Sequence, residues 1–341
     1  MPGRDGHTTI DDIARAAGVS VATVSRVLNG KPDVSPRTKE NVYRAMEHAG
    51  YTANPIARSL GGARTWLLGF HARDFSFEYT IAVMRGILEV SEQAKYGLLL
   101  SAAHDTFHNP ATQLLRSLHE GLIVMSSSLE SAAELDLFDS NRPLVLVEPL
   151  AQQPNRVVVT AANQDGIAQV VRYLVSLGHR RIGFISGPLT LVICQERLNG
   201  FRLTLDATGI ATDTARIVEG QLNEDGGRVG ALQLLTQRNR PTAIVASNDL
   251  QAAGVYQAAR ALGLRIPEDV SVTGFDDIPL AEHLFPTLTT VQQPLREIGR
   301  QAALILIRWI EGARPEVAET VLSTHLVVRG SCAPLVTHDG I

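Results

Sequence analysis

Near the amino end the apolar positions Ile10, Ile13, Ala14 and Ala17 follow the i, i+3, i+4, i+7 spacing of a helix with one buried side. Thr9 stands where a side-chain cap is needed, and Gly18 offers the left-handed exit of a tight turn. Ser20 caps a second helix whose buried side is Val24, Val27 and Leu28. A third helix is predicted from Ser35 to Gly50, with Pro36 at its first position and Val42, Ala45, Met46 and Ala49 as its apolar face. Two short helices across a Gly-Val-Ser turn, followed by a third, make a helix-turn-helix unit. The stretch "NPIARSLGG" then predicts a two-turn helix over 55–61, with Asn54 as cap and a Gly-Gly stop. So short a helix does not recover its nucleation cost alone and forms only when docked.

After Arg64 the pattern changes. Nine apolar runs alternate with amphipathic stretches: "TWLLGF", "GLLLSAA", "GLIVMSSS", "PLVLVEP", "RVVVTA", "RRIGFISG", "RIVEGQ", "TAIVASND" and "VSVTGFDD". Short apolar strands separated by helices predict parallel sheets in βαβ units. The first runs are echoed by the later ones, which predicts two similar lobes. Each run leads into polar or turn residues at its carboxyl end, the edge where open α/β sheets bind ligands.

With 341 residues, 45% of them apolar, the chain is long enough for two or three domains. Its net charge of −4 is unevenly spread. Residues 1–64 hold nine basic and six acidic side chains, a balance of +3, which leaves −7 on the rest. A basic end on an acidic body suits contact with a polyanion at that end. The two cysteines, Cys194 and Cys332, have no disulfide or zinc-type spacing, and no metal or cofactor is implied. The amino end lacks an apolar signal core, so a cytoplasmic location is expected.

On the second helix the burial of Val24, Val27 and Leu28 turns Ala22, Ser25, Arg26 and Asn29 outward. In a helix-turn-helix this helix enters the major groove. Arg26 is the side chain able to pair with guanine through two parallel hydrogen bonds. Thr23, Ser25 and Asn29 suit phosphate or base-edge contacts. Leu60, on the apolar side of the short helix with Ile56 and Ala57, suits a wedge opening a base step in the minor groove.

The stretch from Thr8 to about Phe70 resembles, without a gap, the start of the lactose/galactose-repressor (LacI–GalR) family. The motifs that carry this are "VSVATVSRVLNG", "GYTAN" and "ARSL". The resemblance implies that Val21, Ala22 and Arg26 read bases and that Leu60 is the intercalating hinge residue. The body is similar to the periplasmic-binding-protein-like core of the same family, closely in "LVSLGHRRIGFISGP", "QERLNGFRLTL", "RPTAIVASNDLQAAGVYQAARALGLRIPEDVSVTGFDD" and "PTLTTVQQP", and loosely over 71–165. The fold class implied is an all-α helix-turn-helix domain with a hinge helix, followed by an α/β two-lobed effector-binding core. The implied division is 1–53 for the head, 54–64 for the hinge, 65–162 with 291–322 for one lobe, and 163–290 with 323–341 for the other.

Matched to that core, the candidate effector ligands are Glu148, Arg197, Asn248, Asp249, Asp276 and Gln293, with Leu222 and Phe77 as pocket neighbours. Carboxylates and amides accept from sugar hydroxyls, and a guanidinium donates two parallel bonds. Arg197 can instead form an ion pair with Asp276 or Glu148, and Asp249 can instead cap the helix that follows it. Four departures from the family pattern bear on the ligand. Leu222 stands where a stacking aromatic is frequent. "SFEYT" replaces the frequent "SNPFF", which makes Phe77, Glu78 and Tyr79 unusual pocket neighbours. The segment 106–121 is short, and Ala162 stands where an Asp is common.

The function implied is a homodimeric, DNA-binding repressor that leaves a pseudo-palindromic operator when a sugar-type effector binds between the lobes. Co-repression by a purine-like ligand is the alternative. A transport-type solute-binding protein is the rival from another class, opposed by the DNA-binding head. No enzyme motif emerges. Ser186 in "GFISGP" is not in a G-x-S-x-G turn, Gly226-Gly227 is not a G-x-G-x-x-G, and His119-Glu120 lacks a second zinc-binding His. The tail "GSCAPLVTHDGI" has no leucine heptads, which favours a dimer over a tetramer.

Overall fold

A computed structural model describes residues 8–28, 33–51, 64–102, 118–125, 142–149, 156–316 and 319–335. The predicted hinge helix, Asn29 and Leu60 lie outside these residues.

Helix α1 (Ile10–Ala17) starts with a reciprocal cap. The Thr9 hydroxyl accepts the Asp12 N–H at 3.4 Å, and the Asp12 carboxylate accepts the Thr9 N–H at 3.0 Å. Gly18, at φ 66°, turns the chain so that the Val19 N–H reaches the Ala14 carbonyl. Helix α2 (Val21–Leu28) follows, with the Ser20 hydroxyl accepting the Thr23 N–H. Helix α3 (Pro36–His48) is capped in the same way by Ser35. Ile13, Ala14, Val24, Val27 and Val42 form the core of this head. Leu28 packs only partly against it, and Ala49 is exposed, contrary to the predicted apolar face of the third helix. Gly50 turns the chain at φ 58°, and Tyr51 packs against the core from beyond the turn.

All nine apolar runs are strands. The first five are β1 (Leu67–Ala72), β2 (Gly97–Ala102), β3 (Gly121–Met125), β4 (Leu144–Val147) and β5 (Val157–Ala161). They form a parallel sheet ordered β11-β5-β4-β3-β1-β2, whose far edge is β11 (Glu319–Leu322). Helices α4 (Glu78–Gln93) and α10 (Leu295–Ile310) cover one face, around Phe70, Ile87, Ile123, Val145, Ile298 and Leu306. These two helices approach each other closely. A Cβ on Gly86 would lie 1.9 Å from the Arg296 carbonyl oxygen, and one on Gly299 would lie 2.0 Å from that of Val83.

The second sheet is also parallel, ordered β7-β6-β8-β9, from β6 (Ile182–Ser186), β7 (Ile217–Glu219), β8 (Ala243–Ala246) and β9 (Ser271–Thr273). Helices α5 (Asn163–Ser176) and α6 (Val192–Ala207) cover one face, with Phe184 and Phe201 ring to ring at 4.8 Å. Helices α7 (Glu224–Leu235) and α8 (Asp249–Ala261) cover the other. Each fully buried Phe, Ile or Leu contributes roughly 1.5–3 kcal/mol through the area it removes from water.

The chain passes from the first sheet to the second after β5. It returns through the short helix α9 (Leu280–His283) and strand β10 (Thr290–Gln292) to α10, then adds β11 to the first sheet. It ends through β12 (His325–Val327), which runs antiparallel to β10. Strands β10 to β12 were not visible as apolar runs in the sequence.

Candidate functional site

The first candidate surface is the outward face of α2. Val21, Ala22 and Arg26 are exposed there, and Thr23 and Ser25 are half-buried. Val21 is 39% exposed, a large fraction for an apolar side chain in so small a unit. The Thr23 hydroxyl is 2.9 Å from that of Ser20, so it is part of the helix cap. The Arg26 guanidinium forms an ion pair with Asp33, with both side chains at least half exposed. An exposed pair of this kind is worth about 1 kcal/mol or less, so a stronger partner can take the guanidinium.

The second candidate site lies at the carboxyl ends of the strands, where the two lobes meet. Arg197, on α6, is its centre and is 2% exposed. Its Nε donates to Asn163 Oδ1 at 2.9 Å, and its Nη1 donates to the Ser247 carbonyl at 2.7 Å. Asp276 Oδ1 lies 3.6 Å from Nη1, and the guanidinium carbon sits 3.9 Å from the centre of the Phe275 ring. One face of this cation and its Nε and Nη1 nitrogens are therefore engaged, which fixes its orientation.

Glu148 follows β4 in the left-handed region, at φ 52°. That turn places its carboxylate against the end of β5, where Oε1 accepts the Ala161 N–H at 2.8 Å. Burial pushes the Glu148 carboxyl up to about 7, against the opposing pull of Arg197. Asp276, also at positive φ, accepts from Gln293 Nε2 at 2.6 Å. Burial raises it to about 6, again with Arg197 pulling the other way. Gln293 is 4% exposed and lies beside the Tyr79 hydroxyl. Burial, then the negative charges of Glu148 and Asp276, lift the Tyr79 phenol well above its ordinary value, so it stays a hydrogen-bond donor.

Four predicted residues, Glu148, Arg197, Asp276 and Gln293, thus meet in one cluster. The other four have different surroundings. Asn248 caps α8 through the Gln251 N–H at 2.8 Å, and its Nδ2 holds the Leu222 carbonyl at 3.2 Å. Asp249 departs from both of its expected uses. It is neither the helix cap nor exposed toward the space between the lobes: it is fully buried, accepting from the Ile278 N–H at 2.9 Å and from the Thr290 hydroxyl at 2.5 Å. Phe77 is 47% exposed at the start of α4, and Tyr79, two residues on, reaches the cluster instead. Leu222 is half-buried, packed close to Gly187.

Sequence reasoning passed over Asn163 and Glu196. Asn163 is 1% exposed at the first turn of α5. Its Nδ2 faces three acceptors: Glu196 Oε2 at 3.1 Å, the Ala161 carbonyl at 3.2 Å and Glu148 Oε2 at 3.5 Å. An amide group has two protons, so the paired carboxylates retain acceptor capacity for another donor. The signal was present as a polar residue between an apolar strand run and a helix, directly after Ala162. The arrangement as a whole offers carboxylate and amide acceptors, one fixed guanidinium and one phenol, a set suited to a ligand rich in hydroxyl groups.

Comparison with known proteins agrees with the division into a helical head and an α/β core. Residues 9–54 match the family described as "Bacterial regulatory proteins, lacI family", and residues 171–332 match "Periplasmic binding protein-like domain". The ribose operon repressor of Haemophilus influenzae is 34% identical over 326 residues, covering 95% of this chain and 98% of its own. Among solved structures, the complex of the transcriptional regulator CelR with cellobiose has a TM-score of 0.73 at 32% identity, covering 95% and 100% of the two chains. The lac repressor dimer bound to operator and the anti-inducer ONPF has a TM-score of 0.81 at 28% identity, covering 96% and 99%. With a helix-turn-helix head, a two-lobed α/β core and relatives matched over nearly their whole length, this chain belongs to the LacI family of bacterial DNA-binding transcriptional regulators.

Proposed function

We propose that the protein is a homodimeric repressor that binds a pseudo-palindromic operator and is released from it by a sugar-type effector held between the lobes. The observation that carries this reading is the buried cluster of Glu148, Asn163, Arg197, Asp276 and Gln293, drawn from both sides of the lobe crossing. A site built to bond hydroxyls rejects analogues lacking them by roughly 10⁴-fold. Two relatives support the sugar class by what they are named for: one regulates a ribose operon, and the other was solved with cellobiose.

In this reading 65–162 with 291–322 form one lobe and 163–290 with 323–341 the other, joined to the head 1–53 through 54–64. Val21, Ala22 and Arg26 read bases, Thr23, Ser25 and Asn29 contact phosphates or base edges, and Leu60 opens a base step. In the core, Glu148, Arg197, Asp276 and Gln293 bond the effector, Asn248 holds the loop that carries Leu222, and Phe77 and Leu222 border the ligand. Asp249 serves the interior. Two heads on a two-fold dimer match two half-sites. A sedimentation mass of a single chain at working concentration contradicts the dimer. Among the described residues no helix is long and apolar enough to cross a membrane, and a cytoplasmic site of action fits contact with DNA.

The test begins with selection of duplexes from a random pool by the full chain. Sugars and purines are then screened for a rise in melting temperature, since a ligand that binds the folded state raises it. Enrichment of a two-fold-symmetric duplex and a melting shift with a sugar are expected. If no specific duplex is enriched with or without these compounds, the repressor reading fails. A purine that shifts melting and tightens DNA binding replaces induction with co-repression.

A further inference from the structure

The covalent connection between the head and the core runs through residues 52–63 and enters the core at Arg64. Arg64 is unusually well held for a residue at such a junction. Its Nε donates to Glu120 Oε2 at 3.0 Å, and its Nη2 lies 2.9 Å from the same oxygen. Its Nη2 also bonds the Tyr96 hydroxyl. The guanidinium carbon sits 4.1 Å from the centre of the Trp66 ring and 5.7 Å from that of Tyr96, and the two rings are 5.3 Å apart. The other Glu120 oxygen accepts the Trp66 N–H at 2.8 Å, holding that residue in the left-handed conformation at φ 56°. One carboxylate thus fixes both the side chain of Arg64 and the backbone two residues later.

We propose that Arg64 is a positioning residue for DNA binding: clamped by Trp66, Tyr96 and Glu120, it sets the direction in which the chain leaves the core toward the head. The proposal rests on the repressor reading above. The core itself has little need of this clamp. The side chain of Arg64 and the whole of Trp66 are more than two-fifths exposed, and exposed ion pairs and ring contacts add little to global stability. A dimer that places two heads on one operator depends on the direction and reach of its connections, because these set the effective concentration of the second head once the first is bound. A single head on unrelated DNA has no such dependence.

The clamp is also joined to the ligand cluster. Tyr96 follows the carboxyl end of α4, where its N–H bonds the Ser91 carbonyl after a left-handed turn at Lys95. Tyr79 lies at the amino end of the same helix, beside Gln293. The 16 residues of α4 make a rod about 24 Å long. The rod is pressed against α10 by the Gly86 and Gly299 contacts. A displacement of Tyr79 is carried along this rod to Tyr96, and so to Arg64.

The test compares wild type with Arg64→Ala, Glu120→Gln and Tyr96→Phe. The last two keep the size of the side chain and remove a charge or a hydroxyl. Affinity is measured for a duplex selected by the wild type and for an unrelated duplex of equal length. Each variant is expected to lose about tenfold or more on the selected duplex, with unrelated binding and the melting temperature unchanged. The double variant R64A/E120Q is expected to bind no worse than R64A, since both remove the same interaction. Equal losses on both duplexes, or none on either, overturn the clamp. A wild type that selects no duplex overturns the clamp together with the repressor reading, whereas intact selection with unaltered variants removes the clamp alone.

Discussion

Arg26 and Asp33 pair across the surface of the head. If Arg26 reads bases, as proposed above, DNA has to replace that partner, which a guanine edge would do with two charge-assisted bonds. Val21 and Ala22, exposed at the start of the same helix, offer only shape and methyl contact. Exchanging Val21 or Ala22 is expected to change which duplex is selected, while Arg26→Ala costs about 1–3 kcal/mol on the preferred duplex. Unchanged selection after exchanges at 21 and 22 contradicts this reading face. In the core, burial lifts Glu148 to about 7, so the unfolded chain ionises this carboxyl more readily than the folded one. Its contribution to stability is full below about pH 4.5 and is lost as the pH rises toward about 7. Glu148→Gln removes that loss, so the ligand-free variant's melting temperature falls less than the wild type's between about pH 5 and pH 8. Asp276 and Glu196, also raised by burial, remain in both proteins. Parallel melting curves contradict the ionisation assigned to Glu148. At this scale the sequence pointed to Arg197 and Asp276 only through resemblance, because nothing in spacing alone brings positions about eighty residues apart to 3.6 Å. The surroundings of Asp249 were not legible because its partners, Ile278 and Thr290, come from other segments.

Elements divide by how locally they are specified. Nine of the ten strands of the two parallel sheets were legible because most of these nine are buried on both faces, so the run itself is apolar. The three head helices were legible through their caps, with Thr9, Ser20 and Ser35 each bonding the turn they precede. Strands β10, β11 and β12 were not, since each has three or four residues, includes polar ones and exists by pairing with a distant partner. The close packing of α4 on α10 was equally hidden, because an isolated glycine in a helix reads as a weakness rather than a contact. Gly299→Ala would place a methyl 2.0 Å from the Val83 carbonyl oxygen and force the two helices apart. A loss of about 1–3 kcal/mol is expected in denaturant unfolding of the core, against less than about 0.5 kcal/mol for Arg308→Ala on an exposed turn of the same helix. Equal effects of the two substitutions contradict the close approach.

At the scale of the molecule, charge and architecture point the same way. A head with a surplus of basic side chains is carried by an acidic core, which limits polyanion contact to one end. In the reading proposed above, the cluster of Glu148, Asn163 and Arg197 lies where the chain crosses between the two sheets, so a ligand bound there is expected to change how the lobes sit and not merely how one is packed. Coupling of this kind is a difference in affinity between two sites and is reciprocal. It is read most directly by fluorescence anisotropy of the selected duplex, titrated at fixed salt with a sugar that raises the melting temperature. The dissociation constant is predicted to rise about 5- to 150-fold as the sugar saturates the core. A sugar that saturates the core, as its melting shift reports, yet leaves the dissociation constant unchanged contradicts the link between the cluster and the head.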